Sequence, residues 1–243
     1  MSGKLYAIGT GPGASDLITV RAARILQTLD IVYAPAGRKG ADSLALSIVR
    51  EYIGEHTEVR CCHFPMSADD GEKIAVWDEV SGALVAEVEA GKQVGFITLG
   101  DAMLFSTWVF LLQRIGRPDW LEIIPGITSF AAIAARAVIP LAMEQQSLAV
   151  VSCTADESEI RQALAQHDCL VLMKVSGRFP RIKALLDEAG ALDHALMMSS
   201  ATQAGEQVWR NLREIAEDPS LSYFSTIVVN KRWDVQNENG TTA

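Results

Sequence analysis

Net positive charge is the first thing this chain lacks: 21 Lys and Arg stand against 30 Asp and Glu, a balance of -9 over 243 residues. Nucleic acid is held through a broad basic face, so it is not expected as a partner; a local basic pocket for an acidic small molecule remains compatible with the total. Cysteine is scarce, and its four copies (Cys61, Cys62, Cys153, Cys169) show no C-x-x-C spacing. That points to buried free thiols in a reducing cytosol, with no protein-bound metal. Long apolar runs are missing too. The most apolar stretch, SFAAIAARAVIPLAM, is interrupted by Arg136 and Pro140 and is too short to span a bilayer. Met1 to Lys4 leads directly into the first strand without a signal-peptide core. A cytoplasmic protein with no membrane partner is expected. There is no short repeat or low-complexity tract, and the closing NENGTTA is polar and expected to fray.

What is present is alternation. Strands are predicted over 4–9, 31–35, 59–64, 94–99, 120–124, 147–153, 169–175, 195–200 and 223–230. Helices fall between them at 16–29, 42–53, 70–90, 105–115, 127–137, 156–166 and 178–189. Ile18, Ala22, Ile25 and Leu29 recur at helical spacing, with Asp16 as the expected cap, and Gly91 fits just past the end of the longest helix. Such alternation defines an α/β protein with largely parallel or mixed sheets. Gly116-Arg117-Pro118-Asp119 breaks the pattern near mid-chain. Two α/β domains, 1–117 and 118–235, with a cleft between them and a disordered tail over 236–243, are therefore expected.

The stretch LYAIGTGPGASDLIT reads as strand, tight turn and helix. Gly9-Thr10-Gly11-Pro12-Gly13-Ala14 formally satisfies the dinucleotide pattern G-x-G-x-x-G/A. An NAD-dependent oxidoreductase is thus one reading. Two details count against it. Pro12 has no N–H to offer a diphosphate, and the second strand, ending IVYAPAG, carries no carboxylate for a ribose. The turn reads better as a rigid wall at the sheet's C-terminal edge. Two further loops are placed there, FITLGDAMLFSTW with Gly100-Asp101 at a strand tip, and LEIIPGITSFAA with Thr128 or Ser129 capping a helix. Asp101 could meet a ligand's hydroxyl or positive charge, or merely cap helix 105–115; motif shape weighs these evenly.

Together the three loops, Gly9–Gly13, Gly100-Asp101 with Phe105, and Pro125–Ser129, resemble the tetrapyrrole (corrin/porphyrin) methyltransferase family over about residues 4–232. HFPMS (63–67), LGDAMLFST (99–107), LMKV (172–175) and YFSTIVV (223–229) are most similar to the branch acting at C20 of precorrin-2. The resemblance implies S-adenosylmethionine as cofactor, bound between two α/β domains, a homodimer, and precorrin-2 as the partner molecule. It also implies cobalt-factor II or another tetrapyrrole position as alternatives. Carried over motif by motif, it implies that Pro12, Leu99, Gly100, Asp101, Leu104, Thr128, Ser129, Met173, Ala201 and Thr202 bind the cofactor. It places Phe105, Ser106 and Thr107 on the substrate side. Met173 could equally be plain core packing. The chain departs from the family in Leu99, in Ala102 after GD where proline is usual, and in Val138 where glycine is typical.

A sulfonium methyl is already electrophilic, and an enamine-like carbon can attack it directly, so catalysis rests largely on alignment. No base is evident. His63 is a candidate, though a histidine ending a strand is more often structural. A carboxylate-fringed substrate implies cations at the site, and Arg38, Lys39, Arg136, Lys174 and Arg178 lie near strand ends or loops. Each taken alone is more simply a solvated charge.

Overall fold

The computed structural model describes residues 3–37, 43–65, 70–216 and 220–235. Arg38, Lys39, the Met66-Ser67 end of HFPMS and the tail lie outside the described residues. The chain forms two compact units, Met1–Thr128 and Ser129–Ala243.

The first unit is built on five strands, β1 (Lys4–Gly9), β2 (Ile31–Ala36), β3 (Glu58–His63), β4 (Gln93–Thr98) and β5 (Leu121–Ile124). Their order is β3-β2-β4-β1-β5, and every pair is parallel. Parallel strands need crossovers, and helices supply them on both faces. Against one face lie α1 (Val20–Leu26) and α2 (Leu44–Val49), packing Ala22, Leu26, Leu46 and Val49 onto Ile8, Val32 and Ile97. Against the other lie α3 (Asp70–Glu89) and α4 (Trp108–Ile115), packing Leu84, Val88, Trp108 and Leu111 onto Leu5, Tyr33 and Phe96. Period-two alternation sends Ala7 to one cluster and Ile8 to the other. No helix among the described residues is long and apolar enough to cross a membrane.

The second unit contains α5 (Ser129–Ala137), β6 (Leu148–Ser152), α6 (Glu157–Gln166), β7 (Cys169–Met173), α7 (Phe179–Glu188), β8 (Ala195–Ser199), β9 (Gln207–Trp209) and β10 (Ser225–Asn230). Its sheet is mixed, in the order β6-β7-β10-β8-β9, with only β6 and β7 parallel. One face is filled by Ile160, Leu164, Phe179, Ile182 and Leu186 from α6 and α7. The other carries Ile133 and Ala137 of α5.

Several expectations are corrected. The break at 117/118 is not a domain boundary: β5 pairs with β1, so 118–128 belong to the first unit, and Gly116 (φ 77°) merely turns the chain from α4 into β5. The helix expected over 16–29 is interrupted. Ser15–Leu17 is a 3-10 turn, Ile18 is extended, and Thr19, not Asp16, caps α1 by accepting from Ala22 N–H at 3.2 Å. The start at 105 gives way to Trp108, because Phe105 adopts a left-handed φ of 47° that no helix continues. The short edge strand β9 has too little length to signal itself in the sequence. Gly91 does follow α3 as expected, at φ 87°.

Candidate functional site

Three loops leave the C-terminal edge of the first sheet and are joined there. The Thr10 N–H and hydroxyl both donate to the Thr98 carbonyl, at 2.9 and 3.1 Å. Gly11 N–H donates to the Gly100 carbonyl at 3.2 Å, and Gly100 N–H to the Gly11 carbonyl at 2.8 Å. Gly126 N–H donates to Asp101 Oδ2 at 2.9 Å, and Met103 N–H to Oδ1 at 2.8 Å. Glycine makes the convergence possible. A Cβ on Gly9 would stand 2.6 Å from both the Gly100 oxygen and the Gly126 nitrogen, and one on Gly126 would stand 2.1 Å from that oxygen. Gly100 differs: at φ 70°, its Cβ position faces open space.

This geometry decides between the two readings of the glycine turn. Thr10 and Gly11 N–H groups are already engaged, Pro12 has none, and α1 begins only at Val20, away from the turn. A diphosphate would find neither the donors nor the helix N-terminus it needs. The dinucleotide reading fails here. Asp101 caps no helix, since α4 begins well beyond it. Each of its oxygens accepts one loop N–H and keeps lone-pair capacity for a ligand donor.

Of the remaining residues singled out in this unit, Pro12 is buried, while Leu99, Gly100, Asp101, Leu104, Thr107 and Thr128 are half-buried. Phe105 is 44% exposed and Met103 51%. Ser106 turns inward: its hydroxyl donates to the Ala102 carbonyl at 2.8 Å and accepts from Trp108 N–H at 3.0 Å, so it shapes the loop instead of lining its open side. His63 ends β3 at this same edge.

In the second unit the corresponding features gather where β7 and β8 end. Met173 closes β7, and Lys174 follows at φ 60°. Beyond β8, Ser200 and Thr202 are also left-handed, at 50° and 64°, flanking buried Ala201. Non-glycine residues in this conformation are strained, and they persist where the surroundings fix them. Here Glu206 fixes the turn by accepting from Thr202 N–H at 2.6 Å and pairing with Arg136 at 2.8 Å. The Arg136 guanidinium, and then the Thr202 N–H, hold the Glu206 carboxyl below its ordinary range. Ser129, half-buried, opens α5. Arg178 donates to the carbonyls of Cys153 and Ala155 at 2.5 and 2.7 Å. Arg136, whose side chain is 59% exposed, and Arg178 are thus each tied to a partner within the second unit. The signal for Glu206 was faint, a lone acid in the polar run after β8.

All four cysteines are free thiols, as expected, but only Cys153 and Cys169 are buried. Cys61 is exposed because β3 is an edge strand. Burial pushes the Cys153 thiol up to about 12 and the Cys62 thiol to about 11.

A parallel sheet with small-residue loops closed upon one another at its C-terminal edge, and a mixed second sheet with strained strand ends, defines a two-unit α/β protein. The sequence model of the family described as Tetrapyrrole (Corrin/Porphyrin) Methylases matches residues 4–216. The chain belongs to that family. It is 76% identical over 234 residues to a cobalt-precorrin-2 C(20)-methyltransferase of Salmonella typhimurium, covering 96% of this chain and 99% of that one. It is 30% identical over 237 residues to a precorrin-2 C(20)-methyltransferase of Sinorhizobium, covering 93% and 95%. Among solved structures it resembles a uroporphyrin-III C-methyltransferase of Thermus thermophilus in complex with S-adenosylhomocysteine. There the TM-score is 0.65 at 23% identity, with 94% of this chain and 98% of that chain covered.

Proposed function

We propose that the protein transfers the methyl group of S-adenosylmethionine to C20 of precorrin-2 during corrin-ring synthesis, and that the macrocycle carries cobalt. The observation that supports this reading is the 76% identity, over nearly the whole of both chains, to the Salmonella enzyme named for cobalt-precorrin-2. The 30% identity to the enzyme named for precorrin-2 makes the metal-free form the second choice.

The edge of the first sheet suits the donor. Pro12, Leu99 and Leu104 supply apolar surface, Gly100 leaves room beside it, and Asp101 retains acceptor capacity for a hydroxyl or ammonium. Thr128 and Ser129 are assigned to the same ligand, as are Met173, Ala201 and Thr202, the last three for the adenine, by resemblance to the family. Phe105 and Thr107 are assigned to the substrate side. Carbon, methyl and sulfur must be held in line while the methyl moves to carbon and the electron pair of the breaking bond returns to sulfur. Positioning of that kind can supply roughly 7–11 kcal/mol. No metal held by the protein is part of this reading. A homodimer in the cytoplasm is proposed alongside it, the former by resemblance and the latter because the cysteines are unpaired.

Calorimetry with S-adenosylhomocysteine and with NAD tests the cofactor, and binding of the first alone is expected. Mass gain of one methyl group on metal-free and cobalt-loaded precorrin-2, run side by side, tests the reaction. Binding of the macrocycle without methylation would make the protein a carrier instead.

A further inference from the structure

His63 is the last residue of β3 and stands opposite Ala36, the last residue of β2. It therefore lies on the edge from which the three joined loops depart. Its Nδ1 is removed from solvent and has no hydrogen-bond partner among the described residues. Buried polar groups are paired as a rule, and an orphan at a functional edge needs a reason. Two other histidines give the contrast. His194 Nδ1 is paired with the Trp233 carbonyl at 3.0 Å. His167 Nδ1 is also unpaired, but it follows α6 and precedes β7, at the opposite end of its sheet from the strained strand ends.

Among the described residues in the turns that end the five strands (9–13, 36–37, 63–65, 99–101 and 124–128), His63 and Asp101 are the two titratable side chains. Asp101 is committed to Gly126 and Met103. His63 is committed to nothing at Nδ1. In the strand order β3-β2-β4, two interstrand spacings separate the tip of β3 from that of β4, roughly 10 Å. That is too far for the imidazole to share an atom with a methyl group held at the β4 loop. It is the right direction and scale for the far rim of a flat macrocycle lying along the edge.

We propose that His63 anchors the rim of the tetrapyrrole by donating a hydrogen bond from its imidazole to a peripheral carboxylate. The inference rests on the methyltransferase reading above. Because Nδ1 is closed to solvent, the imidazole must turn for it to meet a carboxylate. The partner it then gains exists only with the macrocycle bound, so the contact favours the macrocycle and leaves the donor of the methyl group unaffected.

The test compares wild type with His63→Gln and His63→Ala in steady-state methylation of cobalt-loaded precorrin-2, with S-adenosylhomocysteine binding measured on each. The expected result is a KM for the macrocycle raised about ten-fold or more, kcat within about three-fold, and unchanged S-adenosylhomocysteine affinity. Methyl-esterification of the peripheral carboxylates should weaken binding to wild type by a larger factor than binding to either variant, and equal factors would overturn the proposal. An unchanged KM overturns the proposal, and so does a collapse of kcat at constant KM, which would make His63 the proton acceptor. Loss of S-adenosylhomocysteine binding in both variants would make it a scaffold residue and overturn it as well. Wild type that binds S-adenosylhomocysteine yet methylates neither form of precorrin-2 would overturn the functional reading itself.

Discussion

The Asp101 carboxylate and the Gly126 N–H meet at 2.9 Å, tying the loop after β4 to the turn after β5 across the tip of the intervening β1. Its other oxygen accepts from Met103 N–H at 2.8 Å. Replacing Asp101 by Ala leaves two loop donors without an acceptor. Hydrogen bonds to a charged group are worth about 1.5–3 kcal/mol, and the site is half-exposed, so the lower end applies. With two such bonds lost, about 3 kcal/mol in all, Asp101→Ala should lower the melting temperature by roughly 6–12 °C. It should also weaken S-adenosylhomocysteine by more than ten-fold, because the loops that shape its seat drift apart. A lowered melting temperature with unaltered affinity would restrict Asp101 to holding the loops.

Gly126 tests the same convergence without touching a charge. Its Cβ position lies 2.1 Å from the Gly100 oxygen and 2.8 Å from the Gly9 carbonyl carbon, all backbone that cannot rotate aside. Gly126→Ala must therefore separate the tips of β1, β4 and β5, with a cost of about 3 kcal/mol, the upper range for overpacking. Gly100→Ala is the control, since its Cβ would enter open space at the cost of a left-handed φ alone, about 1 kcal/mol. Should Gly100→Ala abolish S-adenosylhomocysteine binding while folding normally, the open side of Gly100 is where the ligand lies. Thermal unfolding and calorimetry on both variants read the difference.

The sequence made the first sheet legible because both of its faces are covered, so its strands are short apolar runs separated by helical periodicity. The boundary at 117 was misplaced because β5 returns to the first sheet. No local signal tells a strand which sheet it will join. The helix at 16–29 was overextended because apolar spacing at Ile18 continued the pattern while Thr19 supplied a better cap. Asp101 was found by its place after a strand, yet its partner Gly126 lies 25 residues away, and that pairing exists only in the fold. The partners of Arg136 and Arg178 are illegible for the same reason, since what a cation pairs with is a tertiary fact.

Val138 ends α5 in a left-handed conformation, φ 57°. Its N–H donates to the Ala135 carbonyl at 3.4 Å, and the Ile139 N–H donates to the Ala134 carbonyl at 3.0 Å. This is the Schellman arrangement, whose left-handed position is normally glycine. A β-branched side chain there crowds its own backbone, and at 78% exposure it gains little by burial. Val138→Gly should stabilise the fold by about 1 kcal/mol, the relieved strain exceeding the added entropy of the unfolded chain. The melting temperature should rise by roughly 2–4 °C. No rise would mean that Val138 makes contacts that offset its strain.

Cys153 makes stability fall in alkali. The thiol is fully buried in the core of the second unit, and burial pushes it up to about 12. An unfolded cysteine ionises near 8.5. Between those values the unfolded chain has released the proton and the folded chain has not, so raising the pH favours unfolding. Each such thiol contributes a loss of about 1.4 kcal/mol per pH unit over that window and nothing below it. Cys62, pushed to about 11, acts in the same sense over a shorter range. Urea midpoints measured at a series of pH values should therefore decline above about 8.5. The decline should be shallower in Cys153→Ala, even though that variant is less stable at neutral pH through its small cavity. In the folded wild type an alkylating reagent should modify exposed Cys61 first and leave Cys153 intact until the chain unfolds. Equal slopes in the two proteins, or early labelling of Cys153, would show that the second unit opens locally instead of keeping this thiol dry.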